Sequence, residues 1–192
     1  MNDLDLTVEL GTLKIKNPII TASGTCGYGQ ELRDYMDPEL LGAITLKGLT
    51  VKPQKGNPTP RLEETPAGIL NSIGLENPGI ERFKAENREL LQDFKLPLIA
   101  NISGYALDDF AHLAAELASF APVSALEVNV SCPNIKKGGL AFGTDSDLVY
   151  KVTQTVNDKY PGPIIVKLSP NVTDIQKIAM AAEKGGADAI SL

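Results

Sequence analysis

The stretch ALEVNVSCPNIKKGG (125–139) decides the fold. Its first residues alternate. Leu126, Val128 and Val130 fall on one side of an extended chain, and Glu127, Asn129 and Ser131 fall on the other. A cysteine beside a proline then ends the alternation, with Asn129 before it and Asn134 after it. A strand that runs out into a loop carrying a thiol and amides suits the C-terminal end of a barrel strand, where such folds build active sites.

Other strands repeat the pattern. NPIITAS (17–23), AITLKG (43–48), PLIANIS (97–103), PIIVKLS (163–169) and ADAISL (187–192) are short β-rich runs. Helical periodicity falls between most of them, over 79–93, 107–119, 146–158 and 173–185. The last helix is predicted to start at Thr173, with Gln176 three residues on as a capping partner, and to stop at Gly185-Gly186. Strand–helix alternation predicts a parallel sheet with crossover helices. LTVEL-GT-LKIK (6–16) reads as a hairpin ahead of the first of these strands.

Six strands at this spacing suit either a doubly wound sheet or a (β/α)8 barrel. The barrel is the expected fold, with about its first six strands in this chain and the N-terminal hairpin before them. The chain stops on an apolar strand, so a longer natural polypeptide is expected. Residues 50–78 break the rhythm. They are rich in Pro and Gly, lack helical periodicity and read as a long functional loop.

If the apolar strand faces pack against helices, then Lys47, Asn101, Asn129 and Lys167 point to the barrel interior near the strand C-termini. Taken singly, a strand-end lysine ordinarily reaches back to solvent, and a strand-end asparagine ordinarily forms a turn. Convergence is harder to dismiss, because burying amines and amides without polar partners costs free energy. A ligand is one such partner. NSIGLENPG (71–79) and Cys132 are weak signals alone, Cys26 reads as structural, and His112 reads as a helix surface residue.

Composition narrows the function classes. The chain is 43% hydrophobic and 22% charged, as a folded domain requires, and its net charge of -6 argues against a nucleic-acid partner. There is no apolar run long enough to span a membrane and no leader pattern in MNDLDLTVEL. One histidine and two cysteines, with no CxxC and no HExxH, exclude a His-rich metal site and a disulfide framework, so no metal ligands are assigned. The expected setting is the cytoplasm, with both thiols reduced.

KGLTVKPQKGNPTPRLEETPAGILNSIGLENPG (47–79), NVSCPNIKKGG (129–139) and VKLSPN (166–171) resemble the dihydroorotate dehydrogenases. KKGGLAFGTD (136–145) and VKLSPNVTDI (166–175) place the resemblance nearest the bacterial class 1B enzymes. The resemblance implies an FMN-containing (β/α)8 barrel that oxidises dihydroorotate to orotate in pyrimidine synthesis. It implies Cys132 as the catalytic base. It implies substrate contacts from Lys47, Asn71, Ile73, Gly74, Leu75, Asn129 and Asn134. It also implies flavin contacts from Ala22, Ser23, Lys47, Gly48, Asn101, Asn129 and Lys167. The implied partner is an electron-transfer subunit carrying FAD and an iron–sulfur cluster and passing electrons to NAD, with the catalytic chain a homodimer inside a heterotetramer. The glycine-rich loops that grip the flavin phosphate in the family fall beyond the last strand, outside this sequence. Two alternatives stay open: a related flavin barrel that reduces pyrimidine bases, and an inactive fragment unable to hold FMN.

Overall fold

The computed structural model describes residues 4–131 and 142–192. The chain opens with a hairpin, β1 (Val8–Leu10) and β2 (Leu13–Ile15), paired antiparallel with Leu10 opposite Leu13. Gly11 takes a φ of +59° in the two-residue turn, a conformation glycine adopts without strain. Six strands follow in one parallel sheet: β3 (Ile20–Thr21), β4 (Ala43–Thr45), β7 (Leu98–Ile102), β8 (Ala125–Asn129), β9 (Ile164–Lys167) and β10 (Ala189–Ser191). Each lies beside its predecessor, giving the order β10-β9-β8-β7-β4-β3. All six expected strands are present, each shorter than its sequence run.

Four helices cross over between them: α1 (Ile80–Gln92), α2 (Leu107–Ala118), α3 (Ser146–Asn157) and α4 (Ile175–Lys184). Their buried stripes follow the helical period, as with Phe110, Leu113, Ala114 and Leu117 on α2. The N-cap of α4 is Asp174, whose Oδ1 accepts from the Lys177 backbone N–H at 3.1 Å. This corrects the expectation that Thr173 caps it. A carboxylate one position on competes better for the free N–H groups and the positive end of the helix dipole.

The two faces of the sheet are covered differently. Leu46, Leu98, Ala100, Leu126, Val128, Ile164 and Val166 belong to one core with residues from every helix, including Phe83, Phe110, Val152 and Ile178. Ala43, Ile99, Ala125 and Ile165 form a second core with Leu13 and Ile15 of the hairpin. Helices on one face and a hairpin plug on the other exclude a doubly wound sheet, which carries helices on both. The hairpin seals the end where the strands begin. A Cβ at Gly11 would lie 2.5 Å from Oδ1 of Asp188, just before β10.

Residues 50–78 are not structureless. They hold a second hairpin, β5 (Leu62–Thr65) and β6 (Gly68–Asn71), with Leu62 opposite Asn71. Every residue of both strands is exposed. No helix among the described residues is long and apolar enough to cross a membrane.

Burial also sets an alkaline limit. Tyr160 is 6% exposed, and burial pushes its hydroxyl up to about 12 from the ordinary 10.0. The folded state favours the neutral phenol. That contribution is complete below pH ~10 and is lost as pH rises towards ~12. Tyr28 is raised to about 12 as well, by burial first and Glu86 second. Urea midpoints at pH ~8 and pH ~11 should therefore fall less in Tyr160→Phe than in the wild type. Equal falls would remove Tyr160 from the alkaline transition.

Candidate active site

Strand register builds the rim. Asn101 on β7 pairs with Glu127 on β8, and Asn129 on β8 pairs with Lys167 on β9, which in turn pairs with Ser191 on β10. The period of two puts Ile99 and Asn101 on one face, with Ala125, Glu127 and Asn129 beside them and Ile165 and Lys167 next. Ile99, Ala125 and Ile165 meet the hairpin plug. The polar residues therefore follow on the same interior face, towards the strand C-termini. The structure brings Lys47, Asn101, Asn129 and Lys167 to one end of the sheet, where the strand pattern places them, and Gly48 follows Lys47 there.

A buried hydrogen-bond network orders this end. Asn101 is 1% exposed, and its Nδ2 donates to Glu127 Oε2 at 2.6 Å. Ser191 Oγ donates to Glu127 Oε1 at 2.7 Å. Asn129 Oδ1 accepts from the Ser131 backbone N–H at 3.1 Å and from Ser131 Oγ at 2.6 Å. Among the described residues, that leaves Nδ2 as the atom Asn129 offers to a ligand. Ser23 Oγ donates to the Leu46 carbonyl at 2.9 Å and ties the end of β3 to the end of β4. Ala22 is exposed beside it. Lys47 and Lys167 are each half-buried, and neither forms an ion pair among the described residues.

Two polar atoms here have no partner among the described residues. Asn101 Oδ1 and Ser103 Oγ are both buried. An unsatisfied buried acceptor or hydroxyl costs about 1–3 kcal/mol, so each marks a place where a ligand group would be stabilising. Gly48 lies against the first. A Cβ there would stand 2.9 Å from Asn101 Oδ1 and 3.0 Å from Leu75 Cδ1.

The loop of 50–78 reaches the same place through Leu75. Gly74 and Leu75 take φ values of +77° and +56°. A non-glycine residue in the left-handed region carries strain that its surroundings must offset. Asn77 supplies part of that support. Its Nδ2 donates to the Leu75 carbonyl at 2.8 Å, while its Oδ1 accepts from the Thr50 and Gly79 backbone N–H groups at 3.2 and 2.9 Å. The Ile73 carbonyl accepts from the Asn57 N–H at 2.9 Å, and Arg61 pairs with Glu76. Asn71 is exposed at the end of β6, and no side-chain hydrogen bond joins it to the rim among the described residues. Cys132 and Asn134 lie outside the described residues.

Sequence reasoning missed two contributors. Asn77 looks like turn chemistry, yet it is a 5% exposed clamp. Glu127 stands on the polar side of its strand, yet the sequence pattern alone does not place it in the site. The signal available for it was its place one strand residue away from both Val128 and Leu126, in a run with no neighbouring lysine to pair with it. The buried Cys26 and the exposed His112 are placed as expected.

Comparison with known proteins gives a consistent match. The family model described as "Dihydroorotate dehydrogenase" matches residues 5–192. The "Dihydroorotate dehydrogenase B (NAD(+)), catalytic subunit" of Geotalea uraniireducens is 49% identical over 192 residues, covering 100% of this chain and 63% of that protein. Its counterpart in Thermoanaerobacter pseudethanolicus is 50% identical over 189 residues, covering 98% and 62%. The chain thus spans about 62% of the length of these curated relatives. A crystal structure of DHODH in complex with ferulenol from Eimeria tenella superposes with a TM-score of 0.78 at 21% identity, covering 98% of this chain and 59% of that one. At that identity it shows the fold alone: a parallel six-stranded part of a (β/α) barrel.

Proposed function

The chain belongs to the dihydroorotate dehydrogenase family, and from that premise we propose that it carries the proton-transfer half of a flavin-dependent site that oxidises dihydroorotate to orotate in pyrimidine biosynthesis. The observation that carries this reading is the rim itself. Lys47, Asn101, Asn129 and Lys167 converge at the strand C-termini, and a buried acceptor there has no partner among the described residues.

The residues fit FMN. Asn101 Oδ1 has no donor among the described residues, and Gly48 lets the backbone lie against it where a Cβ would stand 2.9 Å from that oxygen. Ala22, Ser23, Lys47, Gly48, Asn101, Asn129 and Lys167 would hold it, and when bound it supplies the hydride acceptor. Lys47 and Lys167 place positive charge where negative charge develops on reduction. Asn129 offers an N–H donor from Nδ2. Asn71, Ile73, Gly74, Leu75 and Asn134 hold the pyrimidine and its carboxylate, because amides and backbone groups match a ring of C=O and N–H groups. Cys132 takes the proton from the ring carbon next to the carbonyl. A thiol with an ordinary pKa of about 8.5 becomes a usable base near neutrality when its thiolate is favoured.

In this reading, residues 1–192 are part of a single FMN-dependent barrel domain of a cytoplasmic enzyme. Its catalytic chains form a homodimer within a heterotetramer. The relatives' name, "catalytic subunit" of an NAD(+) enzyme, supports a second subunit. We assign that subunit FAD, an iron–sulfur cluster and the reduction of NAD. This chain has only two cysteines and no GxGxxG run. The catalytic subunit purified alone should therefore turn over with an artificial acceptor but reduce NAD poorly. Rapid NAD reduction without a partner contradicts the division of labour. Assays of the full-length protein with dihydroorotate, uracil and thymine test the substrate. Activity confined to the carboxylated ring supports the assignment, and activity with the bases instead overturns it.

A further inference from the structure

The Asn101 side chain is oriented by a group that can only accept. A carboxylate oxygen at 2.6 Å takes a hydrogen bond, so the atom facing Glu127 is the amide NH2 and the atom left over is Oδ1. The second Glu127 oxygen is held by Ser191 Oγ, which anchors the carboxylate across β9 to β10. Asn101 is 1% exposed and Oδ1 has no partner among the described residues. The site therefore presents an acceptor and calls for a donor.

We propose that Glu127 is a positioning residue that fixes the Asn101 amide so that Oδ1 receives the imide N–H of the flavin ring. This rests on the reading that FMN lies against the rim. The oxidised isoalloxazine ring carries one N–H, at N3, and its N1, its N5 and its two carbonyl oxygens are acceptors. Only the imide edge satisfies Oδ1, whereas a freely turning amide would accept either kind of edge. The flavin is favoured over the pyrimidine as the donor because Asn101 and Glu127 sit one strand step below Asn129 and Lys167. Of the residues assigned to the substrate, Asn71, Ile73, Gly74 and Leu75 come from residues 50–78 rather than from the sheet, and Asn129 stands at the later strand step. Glu127 thus selects which edge of the ring points inward without touching the reacting atoms.

The test is reconstitution of the full-length apoprotein with FMN and with N3-methyl-FMN, followed by flavin fluorescence. Wild type should bind FMN at least about tenfold more tightly than the methylated analogue, as loss of a hydrogen bond to a buried acceptor requires. Glu127→Leu frees the amide. It should lose about tenfold in FMN affinity, and its preference for FMN over the analogue should shrink by a similar factor. Glu127→Gln keeps an acceptor for Asn101 and offers its own NH2 to Ser191 Oγ. It should bind FMN within about threefold of wild type, a rescue that loss of general packing does not give. If Glu127→Leu lacks a cooperative melt, Glu127→Met fills the space with an unbranched chain and carries the same expectation. Unchanged discrimination in the apolar variant, or equal FMN affinity in the Leu and Gln variants, overturns the positioning role and leaves the flavin reading intact. Failure of the wild type to bind FMN overturns both.

Discussion

Replacing Cys132 with alanine in the full-length protein is expected to leave flavin bound and to lower dihydroorotate oxidation near neutral pH by about a hundredfold to ten-thousandfold. The size follows from what a positioned base contributes. Without it the proton must leave to water, whose basicity and placement are both poor. Cys132 follows the strand that ends at Asn129, three residues past a rim position. Cys132→Ser should recover part of the rate only at high pH, because a hydroxyl is a far weaker acid than a thiol and ionises little at neutrality. Steady-state rates with dihydroorotate and an artificial acceptor, measured beside the flavin spectrum, check this. Near-normal turnover by the alanine variant removes Cys132 from the role of base.

Phe83→Ala carries the largest expected effect on stability, about 3–5 kcal/mol. Phe83 is fully buried on α1, with ring contacts to Tyr28 at 5.0 Å and Phe120 at 5.7 Å. Truncation removes dispersion contacts with both rings and leaves a cavity between α1 and the sheet. The loss is comparable with the whole stability of many domains. Urea unfolding of the full-length protein should show a lower midpoint with an unchanged slope. A shift of under ~1 kcal/mol would mean that the aromatic cluster collapses around the gap.

The barrel strands were legible because one face of each meets helices and the other meets the hairpin or the rim. Leu126 and Val128 against Glu127 and Asn129 is that division written in sequence. The second hairpin was not legible for the converse reason. LEET (62–65) and GILN (68–71) are exposed on both faces, so no burial pattern marks them. A cap at Asp174 and one at Thr173 differ by a single residue, and both types suit the position. At the site, lysines and amides on strand ends stood out as costly to bury. Asn77 did not, because an asparagine before a proline reads as a turn until its hydrogen bonds to Thr50, Leu75 and Gly79 are seen. Glu127 escaped because its partners, Asn101 and Ser191, are brought to it only by the parallel register.

The central claim is that this rim joins a flavin to dihydroorotate. Anaerobic addition of dihydroorotate to the purified full-length protein tests it most directly. The account predicts a yellow protein whose visible band bleaches as one orotate appears per flavin reduced, with no bleaching by dihydrouracil. A colourless protein, or a yellow one that dihydroorotate leaves unbleached, contradicts it.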